Sequence, residues 1–200
     1  VDMSVFELVG AYTAFGNQGL YTEPIVMLRI EDANGVVLDE FGPTTREVFS
    51  PEVAYTMTSL LQGVTQFGTG ARLRYGGGGY PDGVATGFPY SFDMPIAGKT
   101  GTTQNNSDGW FVGITPELVT GVWVGAEDRA VRFKSMTWGQ GGRMALPIYG
   151  YFMQKVYKDP GIALSTRDFD QPTDYDPSVY DCTAAPQPET VDESEVPFEF

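Results

Sequence analysis

The sequence predicts an α+β fold, an antiparallel sheet covered by helices. Three observations predict it. Apolar residues recur at three- and four-residue spacing in three stretches, residues 5–17, 50–66 and 144–157, which is the period of one helical face. Three β-prone runs, around residues 94–103, 110–114 and 118–125, follow one another across short polar turns, the pattern of a meander. Such a sheet needs a covering layer, and the last helical stretch can supply it.

The first helix is expected over Val5 to Asn17, with Val5, Leu8, Val9, Tyr12 and Phe15 as its apolar stripe. Ser4 and Glu7 stand at capping-box spacing, and Gly19 suits a left-handed C-terminal position. Leu20 to Glu40 reads as a hairpin: Ile25 to Ile30 is β-prone, Asn34-Gly35 makes the turn, and Val36 to Leu38 returns. The second helix runs from an N-cap at Ser50, through Pro51 in the first turn, to Gln66. Val53, Met57, Leu60, Leu61 and Val64 are its expected buried stripe.

Arg72 to Phe92 is irregular and glycine-rich, with four glycines from Gly76 to Gly79. A phosphate-cradling loop would need a helix after it, and none is expected, so a surface loop is the better reading. The interleaved aromatics Tyr75, Tyr80, Phe88, Tyr90 and Phe92 are read as pinning that loop down rather than lining a groove. Met144 to Tyr157 is the last helix, with Leu146, Ile148, Tyr149, Phe152, Met153 and Val156 on its inner face and Pro147 near its start. Arg129, Arg132, Lys134 and Arg143 are read as solvated charge.

Net charge is −14, unevenly spread. Residues 1–162 carry 11 basic and 16 acidic side chains, residues 163–200 carry 1 and 10, so the acidity belongs mostly to the end of the chain. Residues 1–162 are therefore taken as one folded unit and residues 163–200 as an acidic, Pro-containing tail. Nothing forms a basic patch, which argues against nucleic acid. No apolar run reaches the roughly 18 residues that a membrane span needs. Val1-Asp2-Met3 lacks the basic start of a signal peptide, so the chain is expected to begin inside a longer one. There is no histidine, which excludes Ser-His-Asp and Cys-His catalysis within these residues and disfavours zinc. The paired aspartates Asp168, Asp170, Asp174 and Asp176 lack the Gly and the late Glu of a calcium loop. No metal or cofactor is expected, and Cys182 reads as an unpaired surface thiol.

The stretch with chemistry in it is Met94 to Val112. A strand built only for packing would be rich in Val and Ile, yet this one reads Gly98-Lys99-Thr100-Gly101-Thr102-Thr103. One cation and two hydroxyls, at Lys99, Thr100 and Thr102, suit an anion such as a carboxylate. Gly101 weakens a strand unless something approaches its backbone closely. Lys99-Thr100-Gly101 matches the K-T-G element of penicillin-binding proteins and serine β-lactamases. The longer pattern, Lys99 to Gln104 followed by Asp108-Gly109-Trp110-Phe111-Val112-Gly113, resembles the transpeptidase domain of the bifunctional class A penicillin-binding proteins. Residues 4–19, the Ile30-Glu31-Asp32 to Leu38 segment and Gly141 to Ile148 are similar to that family as well.

The resemblance implies a penicillin-binding transpeptidase fold and acyl transfer through a serine ester. It assigns catalytic roles to Lys99, whose ammonium would favour developing negative charge, and to Thr102, whose N–H would be one oxyanion-hole donor. Thr100, Gly101, Thr102 and Thr103 would bind substrate, the Thr100 and Thr102 hydroxyls taking the carboxylate of a peptidoglycan stem peptide or of a β-lactam. Asp108 and Trp110 would shape the turn and core. The family's S-x-x-K and S-x-N motifs occur nowhere in these 200 residues. The chain therefore looks like the C-terminal half of such a domain, inactive alone, whose N-terminal half is a necessary partner. The resemblance also implies an extracytoplasmic, membrane-anchored parent with a glycosyltransferase domain upstream. A non-catalytic envelope-binding module on the same fold is the alternative reading. A nucleotide-binding reading of Ala97 to Thr100 fails, because a Walker A motif would need Gly where Asp93 stands and a helix afterwards.

Overall fold

The computed structural model describes residues 3–76 and 87–180. The glycines at 77–79, Tyr80 and Cys182 lie outside the described residues, as does the rest of the acidic C-terminus beyond residue 180.

Helix α1 (Val5–Gly16) starts at the expected capping box. Ser4 Oγ accepts the Glu7 N–H at 3.2 Å, and the Glu7 carboxylate accepts the Ser4 N–H at 2.8 Å. These bonds hold the Glu7 carboxyl below its ordinary value. Gly19 follows at φ +90°, where an added Cβ would strike the Phe49 carbonyl.

The expected hairpin is only partly formed. Strands β1 (Leu20–Thr22), β2 (Arg29–Glu31), β3 (Val37–Glu40) and β4 (Thr45–Glu47) make two separate antiparallel pairs, β1 with β4 and β2 with β3. Ile25 to Leu28 is not a strand: Pro24, which has no N–H, stands where β1 would continue. The turn itself is as expected, with Gly35 at φ +82° and Asp32 Oδ1 accepting the Asn34 and Val36 N–H groups at 2.8 and 2.9 Å.

Helix α2 (Pro51–Gln66) has the expected cap, but of its expected stripe only Leu61 is buried. Ala54, Thr58, Leu61 and Thr65 are buried, while Leu60 is 66% exposed and Val53 and Met57 also face outwards. The inward face is small and hydroxylated because it packs close to backbone: Thr58 Oγ1 donates to the Phe15 carbonyl at 3.2 Å, and Thr65 Oγ1 donates to that of Ile96. Val53, Met57 and Leu60 are thus left uncovered, with Phe67, 83% exposed, beyond the helix end.

Strands β5 (Ala97–Thr102), β6 (Asp108–Ile114) and β7 (Val119–Gly125) form the expected meander in that order. After a one-turn helix α3 (Met136–Gly139), helix α4 (Gly141–Lys158) lies across one face of this sheet. Phe111 and Tyr149 rings meet at 4.8 Å there, and a Cβ at Gly113 would strike the Tyr149 ring. Leu73, Tyr90, Phe92, Ile96, Leu146 and Met153 complete this core. Tyr90 and Phe92 therefore pin their segment, as read from the sequence, whereas Ile148 and Phe152 of α4 face outwards. Arg74 adds a polar tie: its guanidinium donates to the Phe92 and Met94 carbonyls at 2.7 and 2.5 Å, and burial pulls it below its ordinary value.

The opposite face of the sheet carries α1 and α2. Gly121 accommodates Val9 of α1, and Leu61, Ala97 and Ile114 pack with Tyr12 and Phe15. Residues 163–176 form no helix or strand, yet they run along the body. Leu164 and Phe169 join the two cores, Ser165 N–H donates to Glu117 at 2.9 Å, and Tyr55 meets Tyr175 edge-on. Among the described residues no helix is long and apolar enough to cross a membrane.

A candidate active site on the free edge of strand β5

Strand β5 pairs with β6 on one side and with no strand on the other among the described residues. Lys99 lies opposite Val112, Gly101 opposite Trp110 and Thr102 opposite Gly109. Side chains alternate between faces, so Lys99 and Gly101 share the α1 face while Thr100 and Thr102 share the α4 face. The backbone alternates too. Thr103 N–H donates to the Asp108 carbonyl at 3.2 Å, which makes 103 and 108 a hydrogen-bonded pair. Counting back by twos along the ladder, residues 101, 99 and 97 also turn towards β6. The N–H and C=O groups of Gly98, Thr100 and Thr102 point off the free edge. Lys99 follows them: its Nζ donates to the Thr100 carbonyl at 2.8 Å.

The hydroxyls are held in place. Thr100 Oγ1 lies 2.7 Å from Thr69 Oγ1, so whichever one donates, the pair keeps one proton to offer. Thr102 Oγ1 accepts the Gly141 N–H at 2.9 Å and keeps its own proton. Thr103 Oγ1 is taken up by the turn, 2.9 Å from Ser107 Oγ and accepting the Asp108 N–H at 3.1 Å. The four sequence-predicted binding residues are therefore contiguous along one edge but not equivalent. Gly101 has a packing reason as well, since a Cβ there would come within 3.0 Å of Trp110 Cβ.

Two openings flank the strand. One, of about 390 Å³, has α1 as one wall through Leu8 and Tyr12, and Lys99, Gly101 and Trp110 as another. Burial raises the Tyr12 phenol above its ordinary value. Asp108, 8% exposed, also borders this opening, and its Oδ1 has no hydrogen-bond partner among the described residues. Asp108 and Trp110, both in β6, thus also border the cavity. The other opening lies at the C-terminal end of β5, between the β5–β6 turn and Arg129 and Arg132.

Thr69, Arg129 and Arg132 also border the strand, and sequence reasoning named none of them as site residues; Arg129 and Arg132 are exposed, as read from the sequence. No local spacing could mark them, because Thr69 approaches β5 only when α2 docks and the arginines only when the 126–135 loop folds over the turn. Among the described residues no cluster of three or more His, Cys, Asp or Glu could hold a metal.

The family described as the penicillin binding protein transpeptidase domain matches residues 1–128. Penicillin-binding protein 1A of Clostridium acetobutylicum is 36% identical over 166 residues, 82% of this chain and 17% of the relative. Penicillin-binding protein 1A of Aquifex aeolicus is 35% identical over 156 residues, 78% of this chain and 19% of the relative. The chain thus spans under a fifth of the length of these curated relatives. Among solved structures, penicillin-binding protein 1A of Haemophilus influenzae superposes with a TM-score of 0.66 at 21% identity, covering 86% of this chain and 28% of that one. At that identity the likeness shows the fold, a mixed helix and antiparallel sheet.

Proposed function

The chain belongs to the penicillin-binding protein transpeptidase domain family, and from that premise we propose that it carries the β5 side of a peptidoglycan DD-transpeptidase site. The observation that carries this reading is the outward set of the Thr100 and Thr102 backbone groups beside Lys99. A peptide laid along the edge would pair with them as an added strand. The Thr102 N–H would stabilise the oxyanion as a serine oxygen attacks the donor carbonyl. The C–N bond then breaks and the leaving amine takes a proton, with the Lys99 ammonium favouring that transfer. A second amine from another stem peptide would attack the serine ester and complete the cross-link. A β-lactam, which imitates the donor, would stop at the ester.

The serine in this proposal is supplied from outside these 200 residues, since no Ser here has a Lys three positions on. The protein would act outside the cytoplasmic membrane, anchored to it, with a glycosyltransferase domain in the same chain. The test is intact-mass measurement of the full-length protein after incubation with penicillin. One penicillin mass added covalently supports acyl transfer. No adduct on the folded protein would leave β5 as a scaffold and favour a non-catalytic envelope-binding module.

A further inference from the structure

We propose that the opening at the C-terminal end of β5 is a carboxylate subsite, in which Arg129 and Arg132 take an acidic side chain of the peptide laid along the strand. The proposal rests on the transpeptidase reading for the identity of that peptide, and on the following geometry for the site.

The opening has a volume of about 650 Å³ and is lined by Thr102, Thr103, Asn105, Ser107, Arg129 and Arg132. It therefore begins where the free edge of β5 ends, and a strand added along that edge runs into it. Both its charged residues are cations, in a chain whose net charge is −14. Among the described residues neither arginine makes an ion pair. The neighbouring acid Asp128 is engaged in its own turn, where its Oδ1 accepts the Ala130 N–H at 2.8 Å. Both guanidiniums border one opening without an ion-pair partner among the described residues, and the guanidinium fork matches a carboxylate in two parallel hydrogen bonds.

The arginines are not on a free-floating loop. Val131 N–H donates to the Asp128 carbonyl at 3.0 Å, and Phe133 N–H donates to that of Asn106 at 3.2 Å. Gly139 sits against the Asn106 side chain, where a Cβ would collide. The loop is thus tied to the β5–β6 turn at Asn106 and holds both arginines across the opening from Thr103 and Asn105. Asn105 and Asn106 adopt φ of 65° and 57°, which Asn tolerates better than most residues and which shapes the floor. Ser107 Oγ and Thr103 Oγ1, 2.9 Å apart, add a polar wall. Arg129 also borders the Lys99 cavity, so one cation links the two openings.

The experiment compares two dye-labelled peptides ending in D-alanyl-D-alanine, identical except that one bears a side-chain carboxylate and the other its amide. Anisotropy titration reads their affinities for the full-length protein, for the Arg129→Gln/Arg132→Gln double variant and for Lys134→Gln, which removes one charge outside the opening. The proposal expects the acid to bind about tenfold more tightly than the amide, a preference weakened by salt. It expects that preference to vanish in the double variant and to persist in Lys134→Gln. Equal affinity of acid and amide for the unmodified protein, or a preference that survives the double substitution, overturns it. Binding does not require turnover, so a protein that forms no penicillin adduct yet shows the arginine-dependent preference would lose the transpeptidase reading and keep this subsite.

Discussion

The Thr102 hydroxyl accepts the Gly141 N–H at 2.9 Å, so the last residue of β5 caps the first turn of helix α4. No side chain of α4's own N-cap, Gln140, does so. The edge strand and the largest helix are thereby coupled at the point where the candidate site lies.

Thr102→Val keeps the shape and removes the acceptor. It is expected to cost about 1 kcal/mol, as loss of an N-cap does, and so to lower the melting temperature by about 2–4 °C for a chain of this size. Thr102→Ser should restore most of it. Equal melting temperatures for Val and Ser would show that the contact contributes nothing.

Gly113 and Tyr149 make a second test of packing. Gly113→Ala drives a methyl into a ring that is fully buried, and should destabilise by about 1–3 kcal/mol. Gly42→Ala, where nothing lies within 4 Å, is the control and should leave the denaturation midpoint near that of the unmodified chain.

Tyr149 also sets an alkaline limit. Burial raises its phenol well above the usual value, and burial raises those of Tyr90 and Tyr157. The folded state keeps these protons while the unfolded chain releases them near pH 10. Stability is therefore unaffected by these groups below about pH 10 and falls as pH rises beyond it. The Tyr149 hydroxyl has no partner among the described residues, so Tyr149→Phe should change stability little at pH 7. It should make the decline above pH 10 shallower by about 1.4 kcal/mol per pH unit, one proton's worth. Urea midpoints between pH 8 and 11 read this directly; parallel declines for the two proteins would refute it.

The outward stripe of α2, Val53, Met57 and Leu60, with Phe67 beyond it, is apolar surface that a further layer of protein would bury. The 200-residue chain by itself should self-associate and bind an apolar-surface dye. Leu60→Lys with Phe67→Ser should reduce dye fluorescence several-fold without lowering the melting temperature. A sedimenting monomer that binds no dye would contradict this.

The meander, the three long helices and the Ser4–Glu7 box were legible in the sequence, because each rests on local period or cap spacing. The buried face of α2 was not. Hydrophobicity pointed to Val53 and Leu60, but beside the buried Leu61 close approach to the Phe15 and Ile96 carbonyls selected Thr58 and Thr65. The strand from Ile25 was misread because β propensity ignores the missing N–H of Pro24. In the site, Lys99 to Thr103 stood out by composition. The opposite facing of Lys99 and Thr102 follows from the pleat, but Thr69, Arg129 and Arg132 reach the strand only through tertiary contacts.

Lys99, on the free edge of β5, is proposed to serve acyl transfer to a serine. Its most direct test is the rate of covalent labelling by fluorescent penicillin, for the full-length protein and for its Lys99→Ala variant, with folding checked by melting temperature. Labelling should slow by about 100-fold or more in the variant, the range lost with a positioned proton-transfer group. Labelling at an unchanged rate in a folded Lys99→Ala protein would contradict it.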